Sequence, residues 1–254
     1  MAGSGQDRSI LDDFEAEQTD LRDLLLTLAE DEWLTPTPAE GWDVRDTVSH
    51  LADTEEIAHD TATGGPRQLN TEAAAFDSGD AFTLSGVEKG RDLAGPDVLD
   101  WWWQAAAKNR AALGGLDTSA RVPWGLGMGW RAFVTARLME HWAHGLDIHS
   151  ATGRPAVDTD RLRHVAWIGI NALPYAYGVV GVTPPAGRTL RFDLVGPNGD
   201  TWSIGPADAT DTVSGPAGEW CRLAVQRIAR DEAPNLRAEG PLADLALSSA
   251  RAFL

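Results

Sequence analysis

The sequence predicts an all-helical domain followed by a small α+β domain, and three observations carry that prediction. Apolar residues recur at helical spacing through most of the chain up to about residue 177. After "GVVGVTPPAG" the spacing becomes alternating at Leu190, Phe192 and Leu194; a GPNGD turn follows, then Trp202 and Ile204, which is the pattern of a β-hairpin. The 254 residues, 43% of them hydrophobic, suffice for one large domain or for a domain with a smaller companion. The division is placed within 179–188, giving a helical domain over 1–180 and an α+β domain over 181–254.

The first helix is predicted over 9–31, with Ile10, Phe14, Leu21, Leu24, Leu25 and Leu28 on one stripe and acids opposite. "LTPTPAEGW", 34–42, breaks it with prolines and a glycine. Asp43, with Asp46 three residues on, reads as the N-cap of a second helix over 44–61 that buries Val44, Val48, Leu51 and Ile57. "TGGPRQLN" and "DSGDAFTLSGVEKG" read as loops, with a short helical piece around 71–76. A third helix runs from Pro96 to about Leu113 and carries "WWW" at 101–103. The apolar, glycine-rich stretch 114–130 is a connection or a site-lining loop; it lacks the GxxxxGK[ST] pattern of a phosphate loop. A fourth helix covers 130–150 and a fifth 158–177, disturbed at Pro174. Beyond the hairpin, "TDTVSG" and "PNLRAEG" suggest strands, and helices are expected over 216–231 and 241–253.

Thirty-eight acidic against 21 basic residues give a formal charge of −17, which argues against a nucleic-acid or anionic-lipid surface. No stretch approaches a membrane span, and the N-terminus lacks a basic region followed by an apolar run, so neither a transmembrane helix nor a leader is expected. The single cysteine, Cys221, fits a reducing cytoplasm and, at helical spacing with Trp220, Ala224 and Val225, reads as a core thiol. Eleven tryptophans against two tyrosines provide core and, at some positions, the walls of an apolar pocket.

The chemistry concentrates in "MEHWAHGLDIHS", 139–150, which holds three of the six histidines. On a helix, Glu140 and His144 are i,i+4 neighbours on one face, Asp147 returns to that face at i+3 from His144, and Arg137 at i−3 from Glu140. His141 is turned about 100° away and does not share the site. So polar a face needs partners, and a metal ion is one way to supply them. Two ligands need a third from another helix. His50, between Val48 and Leu51, is the best candidate; the alternative is a hydrogen-bonded core histidine. His59, His149 and His164 read as solvated.

Two segments, "GWDVRDTVSHLADTEE" and "RAFVTARLMEHWAHGLDIHSATG", resemble the two ligand segments of the DinB-like, mycothiol-dependent maleylpyruvate isomerase family. "VSGPAGEWCRLAVQRI" and "LRAEGPLADLALSSARAF" are similar to the small sterol-carrier-like domain that many members append. The resemblance implies an up-and-down four-helix bundle with a divalent metal at one end of its core, zinc first and nickel or iron next. The ligands would be His50, Glu140 and His144, with an open coordination position. Asp147 and Arg137 are then the candidates for catalytic roles beside the metal. The implied reaction uses mycothiol, held as thiolate, on a small electrophilic metabolite, giving an isomerase or a thiol S-transferase. Other readings are a thiol-independent metal-dependent hydrolase, lyase or cyclase, an Fe(II) oxygenase with a two-His-one-carboxylate set, and a non-catalytic small-molecule binder. The partner is a small molecule, not nucleic acid or membrane; the chain is a cytoplasmic monomer or homodimer.

Overall fold

The structure, a computed structural model, describes residues 9–252. The expected lack of a leader and the last residue of the helix expected over 241–253 fall outside these residues. The chain forms two compact units, Met1–Ala156 and Val157–Leu254.

The first unit is built on four long helices: α1 (Ser9–Leu25), α2 (Val44–Thr63), α5 (Gly95–Gly115) and α6 (Trp130–Thr152). Helices α1 and α2 each pack against both α5 and α6, as a four-helix bundle requires. Its core includes Leu21, Leu25, Val44, Val48, Leu51, Trp102 and Ile148; each such side chain contributes roughly 1.5–3 kcal/mol on burial. Asp43 caps α2 as the sequence predicts, its carboxylate accepting from the Asp46 N–H at 2.7 Å, and Gly64 ends the helix in the left-handed conformation.

Three local expectations are corrected. Helix α1 stops at Leu25, where the Thr27 and Leu28 N–H groups bond three residues back instead of four, and a 3-10 segment follows at Asp31–Leu34. The stretch read as a loop at 77–90 contains a helix, α4 (Gly79–Glu88), after the short α3 (Leu69–Ala73); Ser78 caps α4 by accepting from the Ala81 N–H, and Val87 is buried. The glycine-rich 114–130 stretch holds a small hairpin of β1 (Arg121–Val122) and β2 (Met128–Gly129).

In the second unit, α7 (Leu162–Asn171) and α8 (Leu173–Val179) replace the single helix predicted over 158–177, breaking just before Pro174. They are followed by β3 (Leu190–Val195), β4 (Thr201–Ile204), β5 (Asp211–Pro216), α9 (Ala217–Ala224), β6 (Arg237–Glu239) and α10 (Pro241–Ser249). The sheet order is β4-β3-β5-β6, with the predicted β3–β4 hairpin antiparallel, β3–β5 parallel and β5–β6 antiparallel. The helix expected over 216–231 ends at Ala224, where the chain turns through Gln226 at φ 59°. The boundary expected within 179–188 lies earlier, between Ala156 and Val157. The reason is packing: α7 lies on α9, with Gly169 so close that an added Cβ would stand 2.9 Å from the Ala224 Cβ. The α class with a small α+β unit stands as predicted.

Candidate metal centre

Helix α2 presents His50 and helix α6 presents Glu140 and His144 one turn apart. The Nε2 atoms of His144 and His50 stand 3.6 and 3.9 Å from the same carboxylate oxygen, Glu140 Oε2. One ligand atom from each of the three residues lies within 4.8 Å of the other two. This is the one group of three potential metal ligands among the described residues. Donors around a tetrahedral ion with bonds of about 2.0–2.1 Å stand about 3.3 Å apart, so the set is close to binding geometry. Glu140 and His50 are half-buried, and His144 is buried.

Asp147, buried and one turn beyond His144, accepts from His144 Nδ1 at 3.2 Å. That bond places the proton on Nδ1 and turns the Nε2 lone pair toward Glu140. Burial pushes the His144 imidazole down, but the hydrogen bond to Asp147 and the nearby Glu140 carboxylate outweigh it and raise its pKa. Burial likewise disfavours the Glu140 carboxylate, yet its contacts with His144 and His50 hold it well below the usual range. His50 is lowered, burial outweighing its contact with Glu140.

Arg137 lies one turn before Glu140 but is engaged elsewhere. Its Nε donates to Glu55 Oε1 at 2.8 Å, its Nη2 donates to Thr54 Oγ1 at 3.3 Å, and its guanidinium lies 5.6 Å over the Trp124 ring. Its charge is still near enough to favour ionised Glu140. Glu55, fully buried, also accepts from Asn109 at 2.7 Å. Sequence reading missed Glu55, although it falls on the Val48–Leu51 stripe, four residues past Leu51. It also missed Trp42, whose ring lies 5.2 Å from His50 and 6.1 Å from His144.

His141 stays out of the cluster, as its angular position predicts. Its Nε2 accepts from Trp102 Nε1 at 3.0 Å and from Gln18 Nε2 at 3.1 Å, and its Nδ1 donates to the Arg137 carbonyl at 2.8 Å. Burial lowers its pKa to about 4. His59 pairs with Asp60 and His149 with the Arg154 carbonyl, both half-buried. His164, read as solvated, is instead 4% exposed, because it lies on the packed face of α7 beside Val165 and Ala166. Cys221 is the core thiol expected: it is buried, its S–H points to the Leu162 carbonyl at 3.6 Å, and burial raises its pKa.

Comparison with known proteins bears on the same residues. Two Mycobacterium tuberculosis proteins from different strains, each described only as uncharacterized, are 37% identical over 246 residues, covering 95% of this chain and 93% of theirs. Two crystal structures of mycothiol-dependent maleylpyruvate isomerase, one of a mutant, share the fold. Their TM-score is 0.60 at 17% and 18% identity, covering 96% of this chain and 95% of theirs. No helix among the described residues is long and apolar enough to cross a membrane. Residues 14–149, which carry all three candidate ligands, match the family described as "Mycothiol maleylpyruvate isomerase N-terminal domain", and the chain belongs to that family.

Proposed function

We propose that the chain is a cytoplasmic, metal-dependent enzyme that uses mycothiol on a small electrophilic metabolite, as an isomerase or a thiol S-transferase. The observation that carries the metal is the approach of two imidazole nitrogens to one carboxylate oxygen, Glu140 Oε2. Two imidazole nitrogens and a carboxylate oxygen converging within 4.8 Å are the donor set that a divalent cation takes.

His50, Glu140 and His144 would hold the ion, zinc first and nickel or iron next; nitrogen and oxygen donors suit all three. When bound with an open position, such an ion lowers the pKa of a thiol and polarises a carbonyl. The chain's own residues do the positioning. Asp147 fixes the His144 ring and its tautomer, and Arg137, held by Glu55 and Thr54, adds to the stronger effect of His144 and His50 in keeping Glu140 ionised. Membership of the family, and the fold shared with mycothiol-dependent maleylpyruvate isomerase, support mycothiol as the cosubstrate.

The test is elemental analysis of protein purified without chelators, followed by turnover of maleylpyruvate and other electrophilic alkenes with and without mycothiol. About one metal per chain and thiol-dependent turnover are expected. Metal that is absent and not taken up by apo-protein refutes the metal centre. Metal-dependent turnover without thiol refutes the thiol chemistry in favour of a hydrolase, lyase or cyclase.

A further inference from the structure

The two candidate histidine ligands are held in different ways. His144 has the usual arrangement for a ligand imidazole, its second ring nitrogen bonded to a carboxylate, Asp147. His50 has no hydrogen bond from its second ring nitrogen to protein among the described residues; its one polar contact is the 3.9 Å approach of Nε2 to Glu140. What borders the His50 ring is aromatic. The His144 ring meets it edge-on at 4.9 Å, and the Trp42 indole lies 5.2 Å away, tilted by 49°. The same indole is stacked on His144, 22° from parallel at 6.1 Å. One side chain therefore abuts both imidazoles.

Trp42 is itself held by its backbone. Thr37 donates to the Trp42 carbonyl through its N–H at 2.9 Å and its hydroxyl at 3.2 Å, and the Trp42 N–H donates to the Ala39 carbonyl at 3.0 Å. Pro36 and Asp43 form an isolated bridge across the same loop, and Asp43 is the cap of the helix that carries His50. The backbone of Trp42 is thus held in the loop 35–43 and that of His50 in α2, which sets where the two rings meet.

The geometry points to Trp42 as a positioning residue that takes the place, for His50, of the hydrogen-bond acceptor that orients His144. Resting on the metal reading above, this assigns the loop before α2 a role in setting metal affinity, through ring packing. A flat aromatic wall restricts rotation about the His50 Cβ–Cγ bond, so less conformational freedom is lost when a ligand bond forms. A ring of similar plane and smaller size keeps that wall; a methyl group does not.

The experiment compares full-length wild type with Trp42→Phe and Trp42→Ala, stripped of metal and titrated with Zn²⁺ and Co²⁺. Affinity is read by competition with a chelating dye, and the ligand field by the visible cobalt spectrum. Trp42→Ala is expected to bind both ions about ten- to a hundredfold more weakly, the range for loss of a group that orients a ligand. It should also show an altered cobalt spectrum and an unchanged helical circular dichroism. Trp42→Phe is expected within about threefold of wild type with the wild-type spectrum. Wild-type affinity and spectrum in Trp42→Ala overturn the inference and leave the metal centre standing. Trp42→Phe as weak as Trp42→Ala overturns ring packing as the cause. Wild type that takes up neither ion overturns the metal centre and this inference with it. Should Trp42→Ala not fold, Trp42→Leu decides: binding at least fivefold weaker than Trp42→Phe upholds the flat wall, and equal binding overturns it.

Discussion

Replacing His141 should cost the protein stability and leave its metal binding intact, although His141 is flanked by Glu140 and lies three residues before His144. The imidazole is fully packed, accepting at Nε2 from Trp102 and Gln18 and donating from Nδ1 to the Arg137 carbonyl. His141→Ala leaves two buried N–H donors without an acceptor, each costing about 1–3 kcal/mol, and opens a cavity beside Phe14 and Trp102. A loss of about 3–5 kcal/mol follows. The same packing sets a pH dependence. Its pKa is about 4 in the folded chain and about 6.5 when unfolded. Between these values the unfolded state binds the extra proton, so stability is fully present above about pH 6.5 and falls as the pH drops towards 4. The full difference of about 2.5 units corresponds to about 3 kcal/mol. Urea unfolding between pH 7.5 and 4.5, run on wild type and on His141→Asn, isolates this component as the difference in slope. Equal slopes, or a His141→Ala protein of wild-type stability that has lost its metal, would refute the assignment of His141 to the core.

Three further outcomes follow from the geometry. His50→Ala, Glu140→Ala and His144→Ala should each abolish stoichiometric metal in elemental analysis, while Asp147→Asn keeps the fold and weakens metal affinity about ten- to a hundredfold, measured by dye competition. Arg137→Leu strands the fully buried Glu55, and should destabilise the fold by about 3–5 kcal/mol in chemical unfolding, with Glu55→Gln recovering part of that loss in the double variant. A chain ended after Ala156 should still bind metal, since every candidate ligand lies within it; one ended near residue 180 retains α7 and α8 without α9 and should aggregate on size-exclusion chromatography.

Much of the candidate site's geometry is legible in the sequence because helical phase is a strict ruler. The i,i+4 spacing of Glu140 and His144, the exclusion of His141 and the return of Asp147 follow from 3.6 residues per turn, and His50 lies beside a clear apolar stripe. What escaped lies where periodicity is silent. Trp42 sits in a proline-broken loop, so no pattern says where its ring goes. Arg137 occupies the right face but turns to Glu55, a buried acid that shows only as a polar residue on an apolar stripe. The unit boundary was misplaced because Leu162, Val165 and Ala166 mark a buried face without naming the partner that covers it, and that partner is α9, some fifty residues later. The helix after residue 216 was drawn too long because Val225 and Ile228 keep the period beyond the point where Gln226 turns the backbone left-handed. Helix α4 is hidden in a glycine- and aspartate-rich stretch that reads as a loop, and its Ser78 cap shows only in the structure.

The order β4-β3-β5-β6 leaves β4 and β6 as the outer strands of the second unit, each with a row of backbone groups that another chain could pair with. Both are poor templates. Strand β6 has three residues, with Arg237 and Glu239 exposed at its ends, and runs directly into Gly240 and Pro241. Strand β4 has four, exposes Thr201 and Ser203, and is closed by Gly205 and Pro206. Prolines at these exits supply no N–H and stop either ladder from lengthening. Both edges of the sheet are thereby poor templates for pairing with a further strand.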